Sequence, residues 1–119
     1  MNDARLLAFR ATDAFTVEAY RVAGTLKHPL LGDEIRRSAV RSGAAIVAAS
    51  NSPPGSAQER EGLERARAGL AEGRYFLYLA RRFGMLDLRR YRALTVRQDA
   101  ALRELQEALT GIRGGSAAR

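Results

Sequence analysis

The sequence predicts an all-α chain folded as an up-down-up-down antiparallel four-helix bundle. Three observations predict it. Apolar residues recur at the 3.6-residue helical period over four long segments. Short stretches rich in Pro, Gly, Asn and Ser separate those segments. No stretch alternates as a strand does, and Val and Ile are scarce. Four helices of about 20 to 26 residues with short links are the material of such a bundle.

The first helix is expected over residues 3–27, with Ala8, Ala11, Phe15, Ala19, Val22 and Leu26 on one stripe. His28-Pro29 closes it, because proline drives the residue before it out of the α region. The second is expected over 32–50, with Leu31, Ile35, Ala39, Ser42, Ile46 and Ala49 inward. Ser42, on that stripe, is expected to bond back to its own helix. Asn51-Ser52-Pro53-Pro54-Gly55-Ser56 is the strongest break in the chain.

The third helix is expected over 57–83, with a heptad seam of Leu63, Ala66, Leu70, Gly73, Leu77 and Ala80, and with Gly84 as its C′ residue. The fourth is expected over 87–112, capped by Asp87 and carrying Tyr91, Leu94, Gln98, Leu102, Leu105, Leu109 and Ile112 inward. Gly and Ala on the seams of the middle two helices permit close approach. Residues 1–113 then make one domain, and 114–119 a flexible tail.

Composition excludes much chemistry. The chain has 119 residues, no Cys and a single His, His28. There is no disulfide scaffold, no Cys/His zinc site and no cysteine nucleophile. His28, beside Pro29, reads as a cap or a solvated side chain. Pairs such as Glu61 with Glu64 lack the Glu-x-x-His partners of a di-metal site. Ser38 and Ser42 have no candidate base, and no Gly-rich loop follows a strand. No catalytic residue, metal or cofactor is expected, and an enzyme is not. No run reaches the roughly 18 apolar residues of a membrane span. The Met-Asn-Asp-Ala-Arg start lacks the basic head of a signal peptide, so a cytoplasmic location and no membrane partner are expected.

The net charge is +7, and all the basic residues except Lys27 are Arg. Residues 1 to 60 carry eight basic and six acidic groups, net +2; residues 61 to 119 carry twelve and seven, net +5. The densest run is Arg81, Arg82, Arg89, Arg90, Arg92 and Arg97, at the corner of the last two helices. Arginine forks grip phosphate and stack on bases, so Arg81, Arg82, Arg89, Arg90 and Arg92 are candidates for binding RNA or DNA. Tyr75, Tyr78 and Tyr91 lie near this corner in the sequence and could stack on bases. Arg36, Arg37 and Arg41 form a rival patch. A protein-interaction scaffold facing an acidic partner is the competing reading of the same charge.

Two helices carry more apolar surface than one stripe needs. Leu6, Phe9, Val17 and Tyr20 lie away from the Phe15 stripe, and Phe76, Leu79 and Phe83 lie beside the Leu seam. Extra apolar faces mark partner surfaces, so these seven residues are the expected contact between copies in a homo-oligomer.

Two segments resemble the four-helix-bundle proteins encoded in 23S rRNA intervening sequences. Glu34-Ile35-Arg36-Arg37-Ser38-Ala39 is similar to that family's Gln-Leu-Arg-Arg-Ala-Ala opening, and Ile46 matches a later Ile. Ala45, Ala48 and Ala49 stand where the family has Asn, Glu and Gly. Ala66-Arg67-Ala68-Gly69-Leu70-Ala71-Glu72 and Arg82-Phe83-Gly84-Met85-Leu86 are similar to its third helix. The resemblance covers about residues 7–112. It implies a bundle that assembles as a ring, usually a pentamer, with no known enzymatic activity. Similar proteins serve as accessory proteins to the reverse transcriptases of diversity-generating retroelements, so a protein partner such as a reverse transcriptase is implied too. Arg36 and Arg37 match the motif, and a shared role could be to brace a subunit interface with Glu18 or Glu34.

Overall fold

The computed structural model describes the backbone of residues 3–117 and side chains as far as residue 112. Four helices account for nearly all of it: α1 (Asp3–Ala23), α2 (Pro29–Ser50), α3 (Ala57–Arg82) and α4 (Leu88–Ala117). Each helix packs on the next in the chain, and α1 closes the square against α4. The diagonal pairs, α1 with α3 and α2 with α4, have no close backbone approach, although the Arg5 side chain of α1 reaches Glu59 of α3. Short links at 24–28, 51–56 and 83–87 make every neighbour antiparallel. The result is the expected four-helix bundle, 51 × 21 × 18 Å.

The expected stripes form the core. Phe15, Ile46, Leu63, Leu70, Leu77, Leu94, Leu105 and Leu109 are all fully buried. The α2–α3 seam is the tightest. Gly62 lies on Ala49, Gly69 on Ser42 and Gly73 on Ser38; a β-carbon at Gly62 would press on the α2 backbone, and at Gly69 or Gly73 it would displace the Ser42 or Ser38 hydroxyl. The Ser42 hydroxyl donates to the Ser38 carbonyl of its own helix at 2.8 Å, as its place on the core stripe requires.

Three boundaries differ from the sequence reading: the end of α1, the start of α2, expected at residue 32, and the end of α4. α1 stops at Ala23 rather than residue 27. At Gly24 the chain tightens into a turn, with Thr25 N and Leu26 N donating to the carbonyls of Val22 and Ala23. The Thr25 hydroxyl also donates to Val22 at 2.7 Å. Pro29 opens α2 instead of closing α1. It sits in the first turn, where its missing N–H costs nothing, and His28 is the N-cap, its Nδ1 accepting from Leu31 N at 3.1 Å. At the other end α4 continues through Gly114, Gly115 and Ser116 to Ala117, into the expected tail. Those residues have poor helix propensity, but none is a proline that would stop the hydrogen-bond ladder. Residues 118 and 119 of that tail lie outside the described residues.

Thr12 is buried on α1, and its hydroxyl has no hydrogen-bond partner among the described residues. Exchanging that hydroxyl for a methyl removes an unsatisfied polar atom at little change of volume. Thr12→Val is expected to raise stability by about 1 kcal/mol, read as a later midpoint in urea unfolding with an unchanged slope.

Candidate nucleic-acid interface

The corner between α3 and α4 is fixed by backbone chemistry. α3 ends in a Schellman motif: Gly84 takes φ +73°, Gly84 N donates to Arg81 O at 3.1 Å, and Met85 N donates to Ala80 O at 2.9 Å. Leu86 is buried beneath the turn. Asp87 then caps α4, its Oδ1 accepting from Arg90 N at 2.8 Å. The α1–α2 link stands beside this corner, because Arg90 Nη1 reaches the Thr25 hydroxyl at 3.4 Å. Lys27 is exposed on that link.

The corner arginines divide into two kinds. Arg81 helps hold the turn, its Nη1 donating to the Leu86 carbonyl at 3.3 Å. Arg90 pairs with Asp87, Nε to Oδ2, at 3.2 Å. Arg82, Arg89 and Arg92 are exposed and have no hydrogen-bond or ion-pair partner among the described residues. They are strong cations, held on a rigid frame, with their full donor capacity facing water.

The rival patch is differently occupied. Arg36 lies across the α1–α2 contact: its Nε donates to the Tyr20 carbonyl at 3.1 Å, and its guanidinium carbon sits 4.2 Å from the centre of the Tyr20 ring. It covers Gly24, where a β-carbon would collide with its Nη2. Arg37 pairs with Glu34 of its own helix at 2.8 Å. Arg41 pairs with Glu72 of α3 at 3.3 Å. Glu18 is taken by Arg21. These arginines tie the bundle to itself.

The seven expected contact residues do not share one face, because α1 and α3 stand on a diagonal with α2 between them. On α1, Val17 and Tyr20 are exposed, Leu6 is half-buried, and Phe9 packs against the core. On α3, Phe76 and Leu79 pack against the core while Phe83 is exposed. Phe76, Leu79 and Phe83 line an open apolar notch of ≈ 230 Å³ with His28, Leu30, Leu31 and Glu34 of the α2 start. Broad-core packing therefore accounts for three of the seven. The sequence reading missed Leu30, which is exposed at the lip of the notch. Its signal was an apolar residue directly after Pro29, read there as part of a link.

Among the described residues no cluster of three or more His, Cys, Asp or Glu could hold a metal ion. No described helix is long and apolar enough to cross a membrane. No protein-family model matches the chain, and no curated protein matches it.

Proposed function

We propose that this chain is a non-enzymatic, self-associating helical bundle that binds RNA or DNA through the phosphate backbone at its arginine corner. The observation that carries the reading is the unpaired state of Arg82, Arg89 and Arg92 around a corner fixed by the Schellman turn and the Asp87 cap. Three cations on a fixed backbone have no ion pair of their own to give up when they bind phosphate, and Lys27 adds charge from the adjoining link. The net charge of +7 extends the attraction beyond contact range.

Filter binding to RNA and DNA across a salt series tests the reading. Binding is expected at about 50 mM salt, with a steep fall as salt rises. Changing Arg82, Arg89 and Arg92 together to Gln is expected to weaken binding at least tenfold and to flatten the salt slope by about 2 to 3. Changing Arg37 and Arg41 to Gln is expected to alter affinity by less than about threefold, since those side chains already serve acids of the same chain. No binding, or binding indifferent to salt, overturns the proposal.

Self-association draws support from the exposed Val17, Tyr20, Leu30 and Phe83, and the number of copies rests on the resemblance to the ring-forming family. Light scattering is expected to give a mass near five times 13.0 kDa; a mass near 13.0 kDa refutes assembly. The same unpaired arginines also suit a second reading, a scaffold for an acidic protein partner. Capture of such a partner that survives nuclease treatment, with no nucleic acid bound, would select it.

A further inference from the structure

We infer that the nucleic acid taken at this corner is single-stranded, with its bases stacking on Tyr75 and Tyr78 while Arg82 and Arg92 hold its phosphates. The inference rests on the phosphate-binding reading above and adds the part of the ligand that a backbone contact cannot distinguish.

Tyr75 and Tyr78 stand on the outer face of α3, 57% and 45% exposed. Their rings lie near-parallel, 28° apart with centroids at 6.5 Å. Tyr75 also touches Phe76, at 6.1 Å and 53°, and Phe76 packs against the core. The pair is thus braced from behind and open in front. Neither phenol has a hydrogen-bond partner among the described residues. Folding gains little from aromatic residues at these positions. They are not in the core, and Ala, Glu or Lys would favour the helix more. Two aromatic rings left on a surface in one orientation are a surface fit for another flat ring.

The arginines are placed by the register of α3 against α4. Arg67 bonds Gln106 at 2.8 Å, and Arg74 bonds Asp99 at 2.6 Å. Seven residues forward on α3 match seven back on α4, as an antiparallel pair requires. Carried on, this register sets Tyr78 level with Thr95 and Arg81 level with Arg92. Arg82 follows Tyr78 by one turn of the same helix. The tyrosines are therefore flanked by Arg82 along α3 and by Arg92 across the groove. The nearest acids do not oppose a phosphate with a bare charge: Glu72 is paired with Arg41, and Asp99 with Arg74.

Phosphate contacts alone suit a duplex as well as a single strand. Stacking does not, because paired bases already cover each other's faces, and only an unstacked strand can lay a base on a tyrosine. RNA and DNA share this chemistry.

Fluorescence anisotropy with labelled oligo-U, oligo-dT, a mixed-sequence duplex and polyphosphate separates the contributions. The wild-type protein is expected to bind either single strand about tenfold or more tightly than the duplex. The pair Tyr75→Ala and Tyr78→Ala is expected to lose at least tenfold on single strands. Its polyphosphate binding and salt slope are expected to stay unchanged. Tyr75→Phe with Tyr78→Phe keeps the ring faces and is expected to keep the affinity. The chain has no Trp, so its emission is from tyrosine, and bound oligo-dT is expected to quench it in the wild type but not in the Ala pair. Equal affinity for duplex and single strand overturns the inference. So does an Ala pair that binds single strands normally, including one that instead lowers the oligomer mass, which would make the ridge a subunit contact. Failure to bind polyphosphate or any nucleic acid overturns the phosphate reading itself, and this inference with it.

Discussion

Glu59→Ala is expected to cost about 3–5 kcal/mol of folding stability, the largest effect of any single charged residue in the chain. The Glu59 side chain is 1% exposed and that of Arg5 is 6% exposed, with Oε2 and Nη1 2.8 Å apart. Arg5 Nη1 also donates to the Ala49 carbonyl at 3.0 Å, at the end of α2. Glu59 serves the start of α3. Its N–H donates to the Ser56 hydroxyl at 3.1 Å, and its Oε1 accepts from Gly55 N at 3.1 Å. One ion pair therefore joins the beginning of α1, the end of α2 and the cap of α3.

Removing the carboxylate leaves a guanidinium in a site that excludes water, and that desolvation dominates the cost. Replacing both partners together, Arg5→Met with Glu59→Leu, leaves no stranded charge. The double variant is expected within about 1 kcal/mol of the wild type, far above either single variant. Urea unfolding of the four proteins measures the cycle. A loss below about 1 kcal/mol for Glu59→Ala would show that the carboxylate is solvated in the folded chain.

Gly62→Leu is expected to destabilise by about 3 kcal/mol, whereas Gly43→Ala is expected to stabilise by about 0.5–1 kcal/mol. Both glycines are helical, and propensity alone favours replacing either. What separates them is the space they face. A β-carbon at Gly62 would come within 2.7 Å of Ala49 Cβ, 3.2 Å of Ala49 Cα and 3.3 Å of the Ala45 carbonyl. Those atoms cannot turn aside, so α2 must shift away and the close contact along the seam is lost. At Gly43 a β-carbon meets nothing within 4 Å. Opposite signs of the midpoint shift in urea are the expected result.

The core was legible because a stripe at helical period survives any change of partner. Leu63, Ala66, Leu70, Gly73, Leu77 and Ala80 are buried whichever helices surround α3. The cap at Asp87 was local too, set by a residue within three positions. Pro29 misled because a proline is equally at home just after one helix and just inside the next, and His28 had to supply the cap that decides it. Long-range charge pairing was not legible. Arg5 meets Glu59 only after three helices have packed, and nothing in either neighbourhood marks them as buried. The same holds for the basic residues. Arg41 and Arg74 look as available in sequence as Arg82 and Arg92. Their acids, Glu72 and Asp99, come from a neighbouring helix.

The seams of this square differ in compliance. Gly62, Gly69 and Gly73 set α3 against the Ala and Ser residues of α2 with no long side chain between, so that pair cannot slide or part by small amounts. α3 and α4 are instead joined at their outer edge by long polar arms. Arg67 reaches Gln106 and Arg74 reaches Asp99 there, while in the interior the buried Gln98 amide donates to the Leu70 carbonyl at 2.7 Å. Such arms can follow a moving partner through rotamer changes. Any displacement of α2 therefore carries α3 with it, and with α3 the Schellman turn that Arg82 and Arg89 flank.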